Sequence, residues 1–131
     1  MGSYDSRNIE PYSVLRVTIE GDPPFRPYLV ALFHEPSANM IVAAGTSERV
    51  GFYRDSDMSD GCVFYEDNET CIPGPTVILP HDNYPLQYAN LTDHDVCGTM
   101  PDDFHDRLIA AIRCSVRLTH GRRQSLLNHL L

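Results

Sequence analysis

The 131-residue sequence predicts an α+β fold: an antiparallel sheet of five or six strands, packed by one amphipathic C-terminal helix and closed by a short terminal helix. Three observations carry this reading. The first two-thirds of the chain holds short apolar runs of strand length, separated by turns rich in Pro, Gly and Asp. No helical pattern lies between those runs, so the crossovers that parallel strands need are missing. Beyond residue 101 the apolar spacing changes to that of a helix. Segment 1–12 reads as an N-terminal arm and 13–131 as one domain, large enough to bury a core without staples.

Each element has its own signal. Residues 13–20 alternate, with Leu15, Val17 and Ile19 on one face and Arg16, Thr18 and Glu20 on the other. Pro23 and Pro24 then end the ladder. Strands over 28–34 and 40–44 follow, joined by a hairpin loop at 35–39. A turn at 45–48 leads into a strand over 50–53, and an acidic loop at 55–61 leads into 62–65. Pro73, Gly74 and Pro75 precede the last strand, 76–79. Residues 80–101 form a long connection that is either functional or conceals a short strand, with 86–89 the candidate. In the helix that follows, Thr99 serves as cap and Pro101 fits the first turn. Asp102, Asp103 and Asp106 sit at its positive end, and Arg113 and Arg117 at its negative end. Phe104, Leu108, Ile109, Ile112 and Val116 share the face expected to meet the sheet. Gly121 is expected to stop this helix, and 122–131 to form the terminal one.

A composition 42% hydrophobic and 21% charged is ordinary for a folded globular chain and excludes wholesale disorder, collagen and coiled coil. No apolar run reaches the roughly 18 residues of a membrane span. The net charge of −8 is unevenly laid out: all 18 acids lie at or before Asp106, so residues 1–106 carry −13 and residues 107–131 carry +5. A basic tail can dock on its own acidic body, meet the body of a second copy, or engage a partner. Nucleic acid is disfavoured, because the acidic body would repel phosphates within a Debye length of about 8 Å. All ten basic residues are Arg and none is Lys. Codon bias toward Arg would also inflate Ala and Gly, which it does not, whereas avoiding modifiable amines fits a regulator or a viral protein.

The four cysteines (Cys62, Cys71, Cys97, Cys114) lack metal-finger spacing, and no basic-then-apolar leader is evident near the start. Reduced, mostly buried thiols in an intracellular protein are expected. The sequons at Asn68 and Asn90 leave a disulfide-bonded extracellular ligand as another possibility.

Two clusters could carry function. In the terminal helix Leu126, Leu127, Leu130 and Leu131 fall on one side, with Arg122 and Arg123 ahead of them. A helix this short is marginal alone, so its leucines must be buried against the body, a symmetric partner or another protein. Residues 127–131 resemble the LxxLL box of nuclear-receptor coactivators, and 125–131 resemble the leucine-rich elongin box of ubiquitin-ligase substrate receptors; both imply helix-in-groove docking. The second cluster is three His-Asp pairs, His81-Asp82, His94-Asp95 and His105-Asp106. Imidazole and carboxylate suit divalent metals and acid–base chemistry, and the pairs resemble the dipeptide of HD metal phosphohydrolases. No close ligand spacing joins them, and His105 falls in the apolar arc of its helix. The 55–61 loop resembles the start of a calcium loop, but Asp60 stands where such a loop needs Gly. There is no P-loop, GxGxxG or GxSxG.

The sequence therefore points to a small acidic, non-enzymatic protein-binding module: a regulator, or a virus- or phage-encoded inhibitor of a host factor. Its partner-binding residues would be Arg122, Arg123, Leu126, Leu127, Leu130 and Leu131, with a homodimer through the terminal helix as one form of pairing. No cofactor or metal is called for. The competing reading is a small metal-dependent hydrolase using the His-Asp pairs.

Overall fold

In the computed structural model, which describes residues 9–131, six strands form one curled antiparallel sheet. They are β1 (Ser13–Arg16), β2 (Tyr28–Glu35), β3 (Met40–Ser47), β4 (Val63–Tyr65), β5 (Thr76–Gln87) and β6 (Val96–Thr99). Their order across the sheet is β4-β5-β3-β2-β1-β6. Three helices accompany them: α1 (Val50–Arg54), α2 (Phe104–Cys114) and α3 (His120–Leu130). The α+β class is as the sequence predicts. Of the expected arm, residues 1–8 lie outside the described residues, while Ile9 is buried and the Tyr12 amide donates to the Ala31 carbonyl at 2.8 Å.

Strand alternation places apolar side chains on both faces of the sheet, and both are covered. Val14, Val30, Leu32 and Ile78 join Phe104, Leu108 and Ile112 of α2 and Leu126 of α3 in the main core. Leu15, Leu29, Ala31 and Ile41 point the other way, into a second core closed by Ile9, Leu86 and Leu91. A third cluster, Cys62, Val77 and Leu79, lies under Val50 and Tyr53 of α1.

Several sequence expectations are corrected. Residues 50–54 form a helical turn, not a strand, because Val50 and Tyr53 pack together on the third cluster at helical spacing. The acidic loop is therefore flanked by a helix and a strand. The 80–101 connection is mostly ordered: β5 continues to Gln87, and the unexpected β6 pairs with β1. Within β5, residues 80–82 bulge out where the register on β3 jumps from Ala44↔Asn83 to Gly45↔Leu79. β4 pairs only with Thr76–Ile78, so the far half of β5 has an open edge, where Pro85 lacks nothing by having no N–H. Thr99 belongs to β6 and caps nothing. α2 starts at Phe104 and ends at Cys114, leaving Val116 62% exposed and Arg117 outside the helix. Gly121 stops no helix; it lies inside α3, whose cap is Thr119, with Oγ1 accepting from the Arg122 amide at 3.3 Å. Only Cys62 among the cysteines is buried, with its thiol pushed up to about 11 by desolvation, whereas Cys71, Cys97 and Cys114 are exposed.

Candidate functional site

The residues named from sequence on α3 divide by the work they do within the fold. Arg123 is committed internally: Nε donates to the Ile112 carbonyl at 3.1 Å, and Nη2 donates to the carbonyls of Ser115 (2.6 Å) and Leu118 (3.1 Å). One guanidinium thus closes the end of α2 and ties α3 to it. Leu126 and Leu127 are buried in the main core, and Leu130 packs half-buried against it. Leu131 is 70% exposed. Arg122 is exposed, its Nη2 donating to Asn83 Oδ1 at 2.7 Å. The tail is therefore held by apolar contact, by bonds to carbonyl oxygens and by the contact of His129 with Glu35. Of its five arginines only Arg107 makes an ion pair among the described residues, with Asp103 of the preceding turn.

Beside α3 runs a groove of about 350 Å³ between the helix and strands β2, β3 and β5. Phe33, Val42, Pro85 and Leu126 give it apolar lining. Glu35, Asn83, Arg122, Ser125 and His129 supply polar groups. Strand geometry explains the supply: Phe33↔Val42 pair across β2 and β3, and Val42↔Pro85 across β3 and β5, so three neighbouring strands each send one apolar side chain to one place. At one end His129 is fixed on three sides. Its ring stacks on Phe33 with centroids 4.0 Å apart, Nδ1 faces the Ser125 carbonyl at 2.8 Å, and Nε2 faces Glu35 Oε1 at 2.7 Å. Glu35 thus faces His129, and the Arg122 guanidinium makes no ion pair among the described residues.

The β5 bulge carries His81 and Asp82, ahead of the groove residue Asn83 in the chain. Desolvation lowers the His81 pKa, opposed by Asp82 and assisted by Arg117 and Arg122. The folded chain therefore holds fewer protons at this site than the unfolded chain, and stability falls as pH drops below the ordinary 6.5. In urea titrations between about pH 7 and pH 5, where histidine changes charge, His81→Gln is expected to flatten the acid-side loss of stability. Parallel pH slopes for variant and wild type would refute this assignment.

The three His-Asp pairs are not brought together: they lie on the β5 bulge, in the turn before β6, and on α2. Nδ1 of His105 is 2.5 Å from the Tyr12 hydroxyl. Among the described residues no group of three or more His, Cys, Asp or Glu side chains is gathered as a metal site, and no helix is long and apolar enough to cross a membrane. In the acidic loop, Ser56 Oγ donates to the Tyr53 carbonyl at 2.8 Å and accepts from the Met58 amide at 3.1 Å, so the turn is organised by its serine. Phe33, Glu35, Asn83 and His129 escaped sequence reasoning, because only strand pairing and helix docking make them neighbours. No protein-family model and no curated protein matches the chain.

Proposed function

We propose that this protein is a small acidic protein-binding module, acting inside cells as a regulator or inhibitor, and that the groove beside α3 receives a segment of its partner. The supporting observation is the groove itself: an apolar lining from three strands, a volume suited to one or two anchoring side chains, and at its side one exposed guanidinium with no ion pair among the described residues. That composition fits an apolar anchor next to a carboxylate, the anchor filling the groove and the carboxylate pairing with Arg122. Leu131, exposed at the end of the same helix, extends the apolar surface. Docking through Leu126 and Leu127, as in the leucine-box motifs, would require α3 to leave its own core, so the groove and the Arg122 side are the readier surface.

Peptide display tests this without knowledge of the host. Selection on the wild-type protein is expected to enrich peptides with a large apolar residue adjacent to Asp or Glu, and Arg122→Glu should weaken those peptides at least about tenfold. Enriched peptides that bind Arg122→Glu equally well would sink the reading. So would sedimentation showing the groove closed by a second copy of this chain.

A further inference from the structure

A second cleft lies away from α3, at the end of the sheet where β1, β2, β3 and β5 come together, with a volume of about 470 Å³. Two arginines line it, Arg16 from β1 and Arg26 from the turn before β2. Both are exposed, and among the described residues neither makes an ion pair, although the chain carries 18 acidic residues against 10 basic ones. Arg16 is held in place: its guanidinium lies over the Tyr28 ring at 4.8 Å, and its Nε donates to the Arg26 carbonyl at 3.4 Å. Its terminal nitrogens have no protein acceptor among the described residues. The bond to the Arg26 carbonyl also brings the two arginines' chain segments together.

The same cleft is lined by the hydroxyl residues Thr46, Ser47 and Thr76. Thr46 Oγ1 donates to the Tyr28 carbonyl at 2.6 Å, while Ser47 Oγ accepts from the Arg49 amide, leaving its O–H to be given elsewhere. Glu48 stands at the cleft too and subtracts one charge, which the two guanidiniums outweigh. Positioned guanidinium forks with a neighbouring hydroxyl donor are the groups that recognise phosphate oxygens.

We infer that the Arg16–Arg26 cleft is a binding site for a phosphate-bearing small molecule. The cleft lies within the volume range of small-molecule pockets, and its phosphate would sit between the two guanidiniums with Ser47 donating to it. This site uses none of the α3 groove residues, so it stands or falls separately from the protein-binding reading.

Inorganic pyrophosphate is the probe, titrated by calorimetry with ionic strength held constant by sodium chloride. Wild type is expected to bind it with a Kd tighter than about 1 mM. Arg16→Gln and Arg26→Gln should each weaken binding at least about tenfold, and Arg113→Gln, at an exposed arginine of α2, should leave it unchanged. Amide NMR on the unmutated protein gives a readout independent of variant folding: shifts should concentrate at Arg16, Arg26, Tyr28, Thr46 and Ser47. The inference is overturned by no binding to wild type, by equal weakening in Arg113→Gln, or by shifts spread over α2 and α3 instead.

Discussion

Phe104→Ala is expected to cost about 3–5 kcal/mol of unfolding free energy, enough to lower Tm by roughly 10–20 °C. Phe104 is fully buried at the first turn of α2, where the helix meets the sheet. Its ring stands edge-on to Tyr12 at 5.0 Å and lies 6.5 Å from the Tyr65 ring, so truncation removes transfer energy and two aromatic contacts together. The site cannot collapse easily, because each neighbour is tied elsewhere. Tyr65 donates to Asp103 Oδ1 at 2.9 Å, and Arg107 lies over the Tyr65 ring at 4.4 Å while donating to the Phe64 carbonyl at 2.5 Å. A cavity should therefore remain, and chemical denaturation is the measurement. A loss under about 1 kcal/mol would mean that the α2–sheet core repacks freely.

Arg123→Met is the second large effect, at about 2 kcal/mol. Methionine keeps much of the apolar stem but leaves the carbonyls of Ile112, Ser115 and Leu118 without their shared donor. The figure is kept near the low end because Arg123 is only half-buried and water can replace part of what is lost. The change should be local as well as global: amide hydrogen exchange in α3 should quicken more than in β2 and β3. Arg123→Lys should recover only part of the loss, since a point ammonium cannot reach three carbonyls in a fixed fork. Uniform exchange rates across α3 and the central strands would show that α3 is held by its other contacts and not by Arg123.

The difference between these two residues shows how far sequence reasoning reached. Its spacing from Leu108, Ile109 and Ile112 places Phe104 on the helix face that meets the sheet, and it lies there. The same spacing places Val116 there, yet it is exposed because α2 stops two residues earlier. What stops it is non-local: Arg123 reaches back eight to eleven residues for carbonyls, and a Cβ on Gly61 would stand 2.6 Å from the Ser115 Cα, so the two backbones touch there. In sequence Arg123 reads as a binding residue, because an arginine beside leucines on a short helix resembles a docking face. Its partners are backbone oxygens, which carry no sequence signature. β6 was missed for a similar reason: a four-residue edge strand containing Gly98 has too little period to recognise, and it exists because β1 needs a neighbour.

By itself the sequence determined the α+β class, the antiparallel pairing and the split between a −13 body and a +5 tail. These follow from local periodicity, turn chemistry and charge counting, all properties of residues near one another in the chain. Only the tertiary structure decided that the sheet is buried on both faces, that β5 bulges at 80–82, and which tail arginines face outward. Arg122 faces a groove whose walls come from Phe33, Val42 and Pro85. Arg16 and Arg26 share one cleft across a turn. In each case the deciding contact joins residues far apart in sequence, and burial and hydrogen-bond satisfaction, which depend on the whole fold, determine whether a side chain is spent within the molecule or left for a partner.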